Sequence, residues 1–325
     1  RGGYGASGRV VPPGAAPGRQ NALAGRIVRY MSGRDVSAPV VLKTPAKINL
    51  RLRILGLRAD GYHELITWMQ QVSLYDEVRV EPGGRRILVD TDREDVPGGR
   101  ENIVHHAARA LREVSGRKAL GARIYLKKNI PAGAGLGGGS GNAAGTLWAL
   151  NRAWNLGMGA AELCEVAAQV GSDVPFFLGG PAAVCRGRGE RVEAREALRN
   201  GWFLLVKPSV ALSTQEVYAW SREKLGREGR NFDETNSPVR LRRHEYGNDL
   251  EGIVFPRFPE LESLCAMLVR EGAARAMMSG SGSTVFGFFR RKGEAERAAI
   301  RIKESKKGKN CECFLTTPLQ ERCFS

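Results

Sequence analysis

The sequence has no long hydrophobic run, because charged residues or glycines interrupt every apolar segment, including residues 202–206. A membrane-spanning helix needs roughly 18 or more consecutive apolar residues, so we predict a protein that does not cross a membrane. The cysteines are scattered, and the closest two, Cys311 and Cys313, match neither a CxxC redox pair nor a zinc motif. This spacing predicts free thiols in a reducing compartment, and we expect a cytoplasmic protein.

Acidic residues are missing from the first 34 positions, which contain six arginines and many Gly, Pro and Ala residues. Such a segment cannot bury enough apolar surface to offset the entropy lost on ordering. We therefore predict a flexible leader over residues 1–38. Its arginine-rich, acid-poor composition also resembles an organelle transit peptide, which leaves import into an organelle as a minor alternative.

The composition of the whole chain is ordinary for a globular protein, with 42% apolar and 26% charged residues. Its 325 residues fit two domains of the usual size, and a break near residues 190–200 predicts domains at 39–197 and 198–325. The formal net charge of +16 attracts nucleic acid, but also small polyanions such as nucleoside triphosphates. Few aromatic residues are interleaved with the basic runs, which disfavours a nucleic-acid partner.

The apolar pattern predicts a mixture of strands and helices. Strict alternation from Lys47 to Ile54 predicts a half-buried strand with Lys47 and Asn49 on its polar face. The Asp60-Gly61 pair predicts a tight turn. Further strands are predicted at 72–80, 86–89, 122–130, 202–206, near 277 and at 285–289, and helices at 102–113, 142–151, 160–170, 215–225, 260–271 and 294–303.

The strongest motif is a glycine-rich run between a predicted strand and a predicted helix. This glycine loop consists of Pro131, Ala132, Gly133, Ala134, Gly135, Leu136, Gly137, Gly138, Gly139, Ser140 and Gly141. Its backbone N–H groups can turn toward one point beside a helix N-terminus, which suits phosphate. It lacks the Gly-Lys-Ser/Thr ending of a Walker A loop, and no second strand ending in an acid supports a Rossmann site. A flexible glycine linker is the alternative, but it does not explain the position between strand and helix.

Two charged residues have ordinary explanations when each is taken alone. A lysine such as Lys47 on the polar face of a strand is usually solvated. Asp173 precedes Val174-Pro175 and could simply cap a helix that begins with proline.

Five motifs in order change this interpretation. They are Thr44-Pro45-Ala46-Lys47-Ile48-Asn49-Leu50, Arg58-Ala59-Asp60-Gly61-Tyr62-His63, the glycine loop, Gly171-Ser172-Asp173-Val174-Pro175-Phe176-Phe177, and Ser279-Gly280-Ser281-Gly282. Over about residues 40–290 the chain resembles the GHMP kinase superfamily. Within it, the chain is similar to kinases of the non-mevalonate isoprenoid pathway whose alcohol substrate carries a cytidine diphosphate tail.

The resemblance implies an α+β chain with two lobes, the first similar to ribosomal S5 domain 2 and the second ferredoxin-like. It implies a kinase that binds ATP and Mg²⁺ at the glycine loop. The family's catalytic pair corresponds to Lys47 and Asp173. Its substrate groove corresponds to Asn49, Tyr62, His63, Thr214 and Tyr218.

Within that groove, the resemblance puts the ring of Tyr62 near the cytosine and lets His63 read its polar edge. Tyr218 stands where the family more often has phenylalanine. The usual Ser-Ser-Asn after the glycines is Ser140-Gly141-Asn142 here, so one hydroxyl is missing and the metal ligands stay open.

The expected chemistry is proton acceptance by Asp173 from the attacking hydroxyl, with Lys47 balancing charge on the transferred group. Two alternatives stay open. A GHMP kinase acting on mevalonate, homoserine or a sugar would keep the glycine loop without needing Tyr62 and His63. A basic RNA-binding protein with an S5-like lobe would use the Arg and Lys clusters instead.

Overall fold

The computed structural model describes residues 38–229, 232, 241 and 245–324. The leader predicted for residues 1–38 lies outside the described residues except for Ala38. Within the described part of the chain, none of the helices combines the length and apolar character needed to cross a bilayer.

The first sheet contains seven strands built around one long hairpin. They are β1 (Val40–Leu57), β2 (His63–Pro82), β3 (Ile87–Thr91), β4 (Ala122–Lys127), β5 (Ala182–Gly187), β6 (Arg191–Ala194) and β8 (Gly247–Asn248). Strand β2 pairs with β1 along one edge, and with β5 and then β4 along the other. Strand β1 also pairs with β8, and β4 with β3. The strand order therefore puts β1 and β2 at the centre.

Four helices accompany this sheet: α1 (Ile103–Val114), α2 (Gly138–Ala153), α3 (Ala160–Val170) and α4 (Val174–Gly179). Helix α2 packs on β1 and β2, and α1 packs against α2 and β3. Leu111 of α1 and Leu147 and Leu150 of α2 are fully buried in one core with Ile124 of β4.

The second sheet contains four antiparallel strands in the order β11-β7-β10-β9. They are β7 (Trp202–Lys207), β9 (Arg275–Met278), β10 (Val285–Phe289) and β11 (Glu312–Thr316). Among the described residues, four more helices follow β7: α5 (Thr214–Arg227), α6 (Glu251–Val254), α7 (Pro259–Arg270) and α8 (Lys292–Glu304). With α7 and α8 packed on this sheet, the lobe has the predicted ferredoxin-like arrangement.

Strand β1 is covered on both faces. On one face, Ile48 and Leu50 pack with Phe203 and Phe286 of the second sheet in a separate hydrophobic core. The predicted half-buried strand is buried more deeply than its pattern indicates, because Lys47 and Asn49 on its polar face are each 3% exposed. The glycine loop covers Lys47, which explains how a polar face can be buried.

The domain division at residues 197 and 198 stays a prediction. Strands β1 to β6 precede this point, and all four strands of the second sheet follow it. However, β8 returns to pair with β1, and Phe324 near the end of the chain packs in the first core.

Candidate active site

One cleft of about 1140 Å³ contains nearly all of the site residues that the sequence predicts. It is lined by Lys47, Asn49, Tyr62, His63, Asp173, Thr214, Tyr218 and residues 131–140 of the glycine loop. Single small-molecule pockets usually measure about 300–1,000 Å³, so the cleft has room for more than one small ligand.

The glycine loop follows β4 and leads into α2, as the sequence predicts. Gly137 precedes the first residue of α2 and has a φ of +69°. A Cβ there would lie 2.9 Å from Cγ of Lys47 and 3.0 Å from Cζ of Phe177. Only glycine therefore lets the loop lie this close to β1, where the N–H of Lys47 donates to the carbonyl of Leu136 at 2.8 Å.

Gly141 is the one predicted loop residue that does not line the cleft. It lies in the first turn of α2, and a Cβ there would meet the carbonyl oxygen of Pro45 at 2.9 Å. The Cα of Gly141 therefore faces β1, and the missing side chain allows the helix to pack closely on the strand. Its role is this packing rather than contact with a ligand in the cleft.

A buried polar network fixes both ends of the glycine loop. One carboxylate oxygen of Asp76 accepts hydrogen bonds from the backbone N–H groups of Asn129 and Ile130 at 2.7 and 2.8 Å. The other oxygen contacts the ammonium of Lys128 and accepts from the Asn142 amide at 3.0 Å. Lys128 also donates to the Asn142 carbonyl oxygen at 2.7 Å. Because Asn142 lies in α2, the network joins the entry of the loop to its exit.

Lys47 and Asp173 form an ion pair at the floor of the cleft. Nζ of Lys47 lies 3.5 Å from Oδ2 of Asp173. The lysine side chain is 4% exposed, whereas the aspartate side chain is 36% exposed and open to the cleft. Asp173 immediately precedes α4, but its carboxylate makes no capping hydrogen bond. The helix-cap interpretation therefore does not account for this carboxylate.

Asn49 holds the lysine in place. Lys47 Nζ donates to Asn49 Oδ1 at 2.6 Å, and the Asn49 amide donates to the Thr67 hydroxyl at 2.9 Å. A Cβ on Gly280 would lie 3.2 Å from both Lys47 Nζ and Asn49 Oδ1. The second glycine turn, residues 279–282, therefore closes over the same pair, and Ser279 donates to the Gly135 carbonyl of the glycine loop at 3.0 Å.

Aromatic residues form the far end of the cleft. The rings of His63 and Tyr218 lie 5.1 Å apart between centroids, while Tyr62 is 53% exposed. Burial and, to a smaller extent, the nearby Arg222 guanidinium lower the pKa of His63 to about 4. Nε2 of His63 is buried without a hydrogen-bond partner among the described residues. Near pH 7 the cleft therefore presents a neutral imidazole with one unused nitrogen.

Tyr218 is also neutral, because burial raises its pKa and the Asp173 carboxylate adds to this effect. Thr214 lies beside it on α5 and shares a hydrogen bond of 2.9 Å with the hydroxyl of Ser281. This contact joins the predicted substrate groove to the second glycine turn.

Several residues that line the cleft were not predicted as site residues from the sequence. They include Val96, Pro97, Asn102, Ile103, Ser172, Arg188, Gly189, Arg222, Gly280 and Ser281. The last two belong to a motif that the sequence singled out without assigning it a site. Arg188 and Gly189 lie in a hairpin that the apolar pattern does not reveal.

Known proteins are similar to this chain in sequence and fold. Two family models match, GHMP kinases N terminal domain over residues 102–181 and GHMP kinases C terminal over residues 230–307. The 4-diphosphocytidyl-2-C-methyl-D-erythritol kinase of Syntrophus aciditrophicus (strain SB) is 41% identical over 259 residues, covering 78% of this chain and 91% of that protein. A solved 4-(cytidine 5'-diphospho)-2C-methyl-D-erythritol kinase is 33% identical with a TM-score of 0.67, covering 86% of this chain and 99% of that one. A homoserine kinase from Cytophaga hutchinsonii, with a TM-score of 0.64 and 17% identity over 90% of this chain and 98% of that one, shares the fold.

Proposed function

The chain belongs to the 4-diphosphocytidyl-2-C-methyl-D-erythritol kinases of the GHMP kinase superfamily, and we propose that Lys47 and Asp173 carry out its phosphoryl transfer. The enzyme is an ATP-dependent kinase that phosphorylates the 2-hydroxyl of 4-diphosphocytidyl-2-C-methyl-D-erythritol in the non-mevalonate isoprenoid pathway. The residue roles below are our proposal.

The ion pair between Lys47 and Asp173 carries this proposal. It places a carboxylate open to the cleft 3.5 Å from a buried ammonium, and the glycine loop lies directly over that lysine. Phosphoryl transfer depends mainly on positioning and on stabilising charge. A proton acceptor and a fixed cation beside a phosphate-binding loop supply both requirements.

Asp173 would accept the proton of the attacking hydroxyl as the oxygen bonds to the γ-phosphorus and the bond between that phosphorus and the departing ADP breaks. Lys47 would stabilise the negative charge on the transferred group, since Asn49 fixes its ammonium at 2.6 Å. Backbone N–H groups at the start of α2 would hold the phosphates of ATP, because four N–H groups at a helix N-terminus have no partner within the helix.

Mg²⁺ belongs to this proposal as the ion that accompanies ATP. Magnesium sites in kinases typically use one or two protein oxygens, with phosphates and waters as the other ligands. Asp173 and the half-buried hydroxyl of Ser140 line the cleft and offer oxygens of this kind. No group of three His, Cys, Asp or Glu side chains in the described residues forms a metal cage. The donors fit an ion bound with the nucleotide, where it would neutralise phosphate charge.

The aromatic end of the cleft would bind the cytidine diphosphate tail. An exposed ring such as Tyr62 can stack on cytosine, and stacking of a base on an aromatic ring contributes about 1–3 kcal/mol. The unused nitrogen of His63 would take a hydrogen bond from, or give one to, the cytosine edge. Tyr218 packs against His63 and would fix the imidazole plane.

A coupled assay of ADP release tests the proposal. The purified chain is given ATP, Mg²⁺ and one alcohol at a time: the cytidine diphosphate alcohol, mevalonate or homoserine. We expect turnover with the first alcohol only, and inhibition of that turnover by cytidine nucleotides. Turnover with mevalonate or homoserine in preference to the first alcohol would contradict the assignment of the aromatic end.

A further inference from the structure

Arg188 is a cation in the cleft that neither the mechanism nor the aromatic end explains. It lies in the turn between β5 and β6 and lines the cleft. Its guanidinium lies over the ring of Tyr62, with Cζ 4.8 Å from the ring centroid. Within the described residues it forms no ion pair. Guanidinium groups in proteins are ordinarily charged. The backbone N–H of Tyr62 and, to a smaller extent, the Arg188 charge lower the pKa of the exposed Asp60 carboxylate. Arg188 forms no ion pair with that carboxylate, so its charge can still be offered to a ligand.

The same turn also lies next to the proposed base. A Cβ on Gly189 would lie 3.6 Å from Oδ1 of Asp173 and 3.7 Å from the carbonyl oxygen of Ser172. Arg188 therefore stands between two fixed points. Its side chain contacts Tyr62, and the next residue along the chain lies beside Asp173.

A buried carboxylate, that of Glu64, connects the turn that carries Tyr62 with the turn that carries Arg188. The carboxylate of Glu64 is 4% exposed and pairs with Arg58 at 2.6 Å and with Arg191 at 2.7 Å. Arg58 begins the turn that carries Tyr62, and Arg191 begins β6 directly after the turn that carries Arg188. The two turns are thus joined through one carboxylate, which limits how far Tyr62 and Arg188 can separate.

The substrate has its negative charge in the matching place. In the proposed function, on which this inference rests, the acceptor hydroxyl lies at Asp173 and the cytosine at Tyr62. The diphosphate joins the alcohol to the cytidine, so it must lie between these two points. We propose that Arg188 binds the diphosphate and selects alcohols that carry it.

Arginine suits this task better than lysine. Its planar guanidinium can stack on an aromatic ring while its N–H groups stay available to donate two parallel hydrogen bonds to phosphate. The other arginine at this end, Arg222, is exposed and already donates to the carbonyl of Gly61 at 2.9 Å. Arg188 is therefore the better placed of the two.

The test compares two probes in the full chain, namely cytidine, which is uncharged, and cytidine diphosphate. Their dissociation constants are measured for wild type, Arg188→Met, Arg188→Lys and Arg186→Met. The last variant is a matched control, because Arg186 lies on the same hairpin but pairs with Glu193 at 2.9 Å. Melting temperatures verify that each variant folds, and steady-state kinetics give KM for the alcohol and for ATP.

Hydrogen bonds to charged groups are worth roughly tenfold to a hundredfold in affinity. Arg188→Met should therefore weaken cytidine diphosphate binding and raise KM for the alcohol by about that factor. Cytidine binding and KM for ATP should stay within about threefold. Arg188→Lys should fall between wild type and Arg188→Met, and Arg186→Met should match wild type.

Equal losses for cytidine and cytidine diphosphate would overturn the inference, since Arg188 would then act on the Tyr62 ring alone. No loss for either probe in a folded variant would also overturn it while leaving the kinase assignment intact. A wild-type chain that binds neither probe and does not phosphorylate the alcohol would instead refute the proposed function, and this inference with it.

Discussion

Replacing Asp173 with asparagine tests whether its carboxylate has a catalytic role or only a structural one. The carboxylate caps no helix, and its partial exposure of 36% limits what its ion pair contributes to folding. The asparagine keeps an oxygen that can accept a hydrogen bond from the buried Lys47, so Asp173→Asn should leave the melting temperature nearly unchanged. Loss of a general base, however, slows reactions by roughly 10²- to 10⁴-fold, which is about 3 to 5 kcal/mol of transition-state stabilisation.

Lys47→Met provides the second side of a double-mutant cycle. The methionine keeps the packing under the glycine loop but leaves Oδ1 of Asn49 without the hydrogen bond it accepts at 2.6 Å. An unpaired buried acceptor costs about 1–3 kcal/mol, so this variant should be less stable than Asp173→Asn. Its loss of kcat should nevertheless be comparable, because both residues act in the same phosphoryl-transfer step.

The assay is kcat at saturating ATP and alcohol, with ATP binding measured separately by titration. Residues that act as a unit give non-additive losses, so the double variant should be little slower than the slower single variant. Asp90→Asn, an exposed carboxylate on β3, is the matched control and should retain wild-type kcat. Activity of Asp173→Asn within twofold of wild type, or losses that multiply in the double variant, would refute the reasoning.

Three further predictions concern the frame of the site. Gly135→Ala would put a Cβ 2.1 Å from a backbone carbonyl of the second glycine turn. It should lower the free energy of unfolding by roughly 1–3 kcal/mol in addition to the penalty of about 1–2 kcal/mol for a left-handed backbone. The control Gly133→Ala meets nothing within 4 Å and should show the backbone penalty alone in urea unfolding. Because the pKa of His63 is about 4 folded and 6.5 unfolded, the unfolded chain binds more protons between these values, so stability should fall as pH drops from 6.5 toward 4. A His63→Gln variant should show a shallower fall, and an equal slope would contradict the buried neutral imidazole. Lys128→Met, which strands its buried carboxylate partner, should cost about 3–5 kcal/mol, whereas Lys127→Met at an exposed position should be near neutral by thermal unfolding.

The sequence could predict the glycine loop and its flanking elements because their signals are local. Helix α3 ends where Gly171 predicts, and β4 and α2 flank the loop in the expected order. The length of β1 could not be predicted in the same way. Register shifts at Pro45/Ala46 and Ile54/Gly56 flank the alternating segment, so the visible pattern covers less than half of an 18-residue strand.

The burial of Lys47 and the place of Arg188 could not be predicted from local pattern, because each depends on a distant contact. Lys47 is covered by a loop about ninety residues later in the chain. Arg188 lies in a hairpin whose second strand is only four residues long and largely exposed, too short to show a period of two. The sequence motifs were enough to predict the site residues that lie within them. Arg188 lies outside these motifs, so only the folded structure shows that it lines the cleft.

The site also depends on contact between the two sheets. The glycine loop follows a strand of the first sheet, but its Ala134 carbonyl accepts from the Thr284 N–H at 3.3 Å, directly before β10 of the second sheet. Asn248 of β8 donates to the Met278 and Gly280 carbonyls at 2.9 and 2.7 Å, which fixes the second glycine turn to the first sheet. Because the phosphate-binding backbone is fixed from both sides, a substitution that loosens the packing of Phe203 between the sheets should weaken ATP binding at temperatures well below global unfolding.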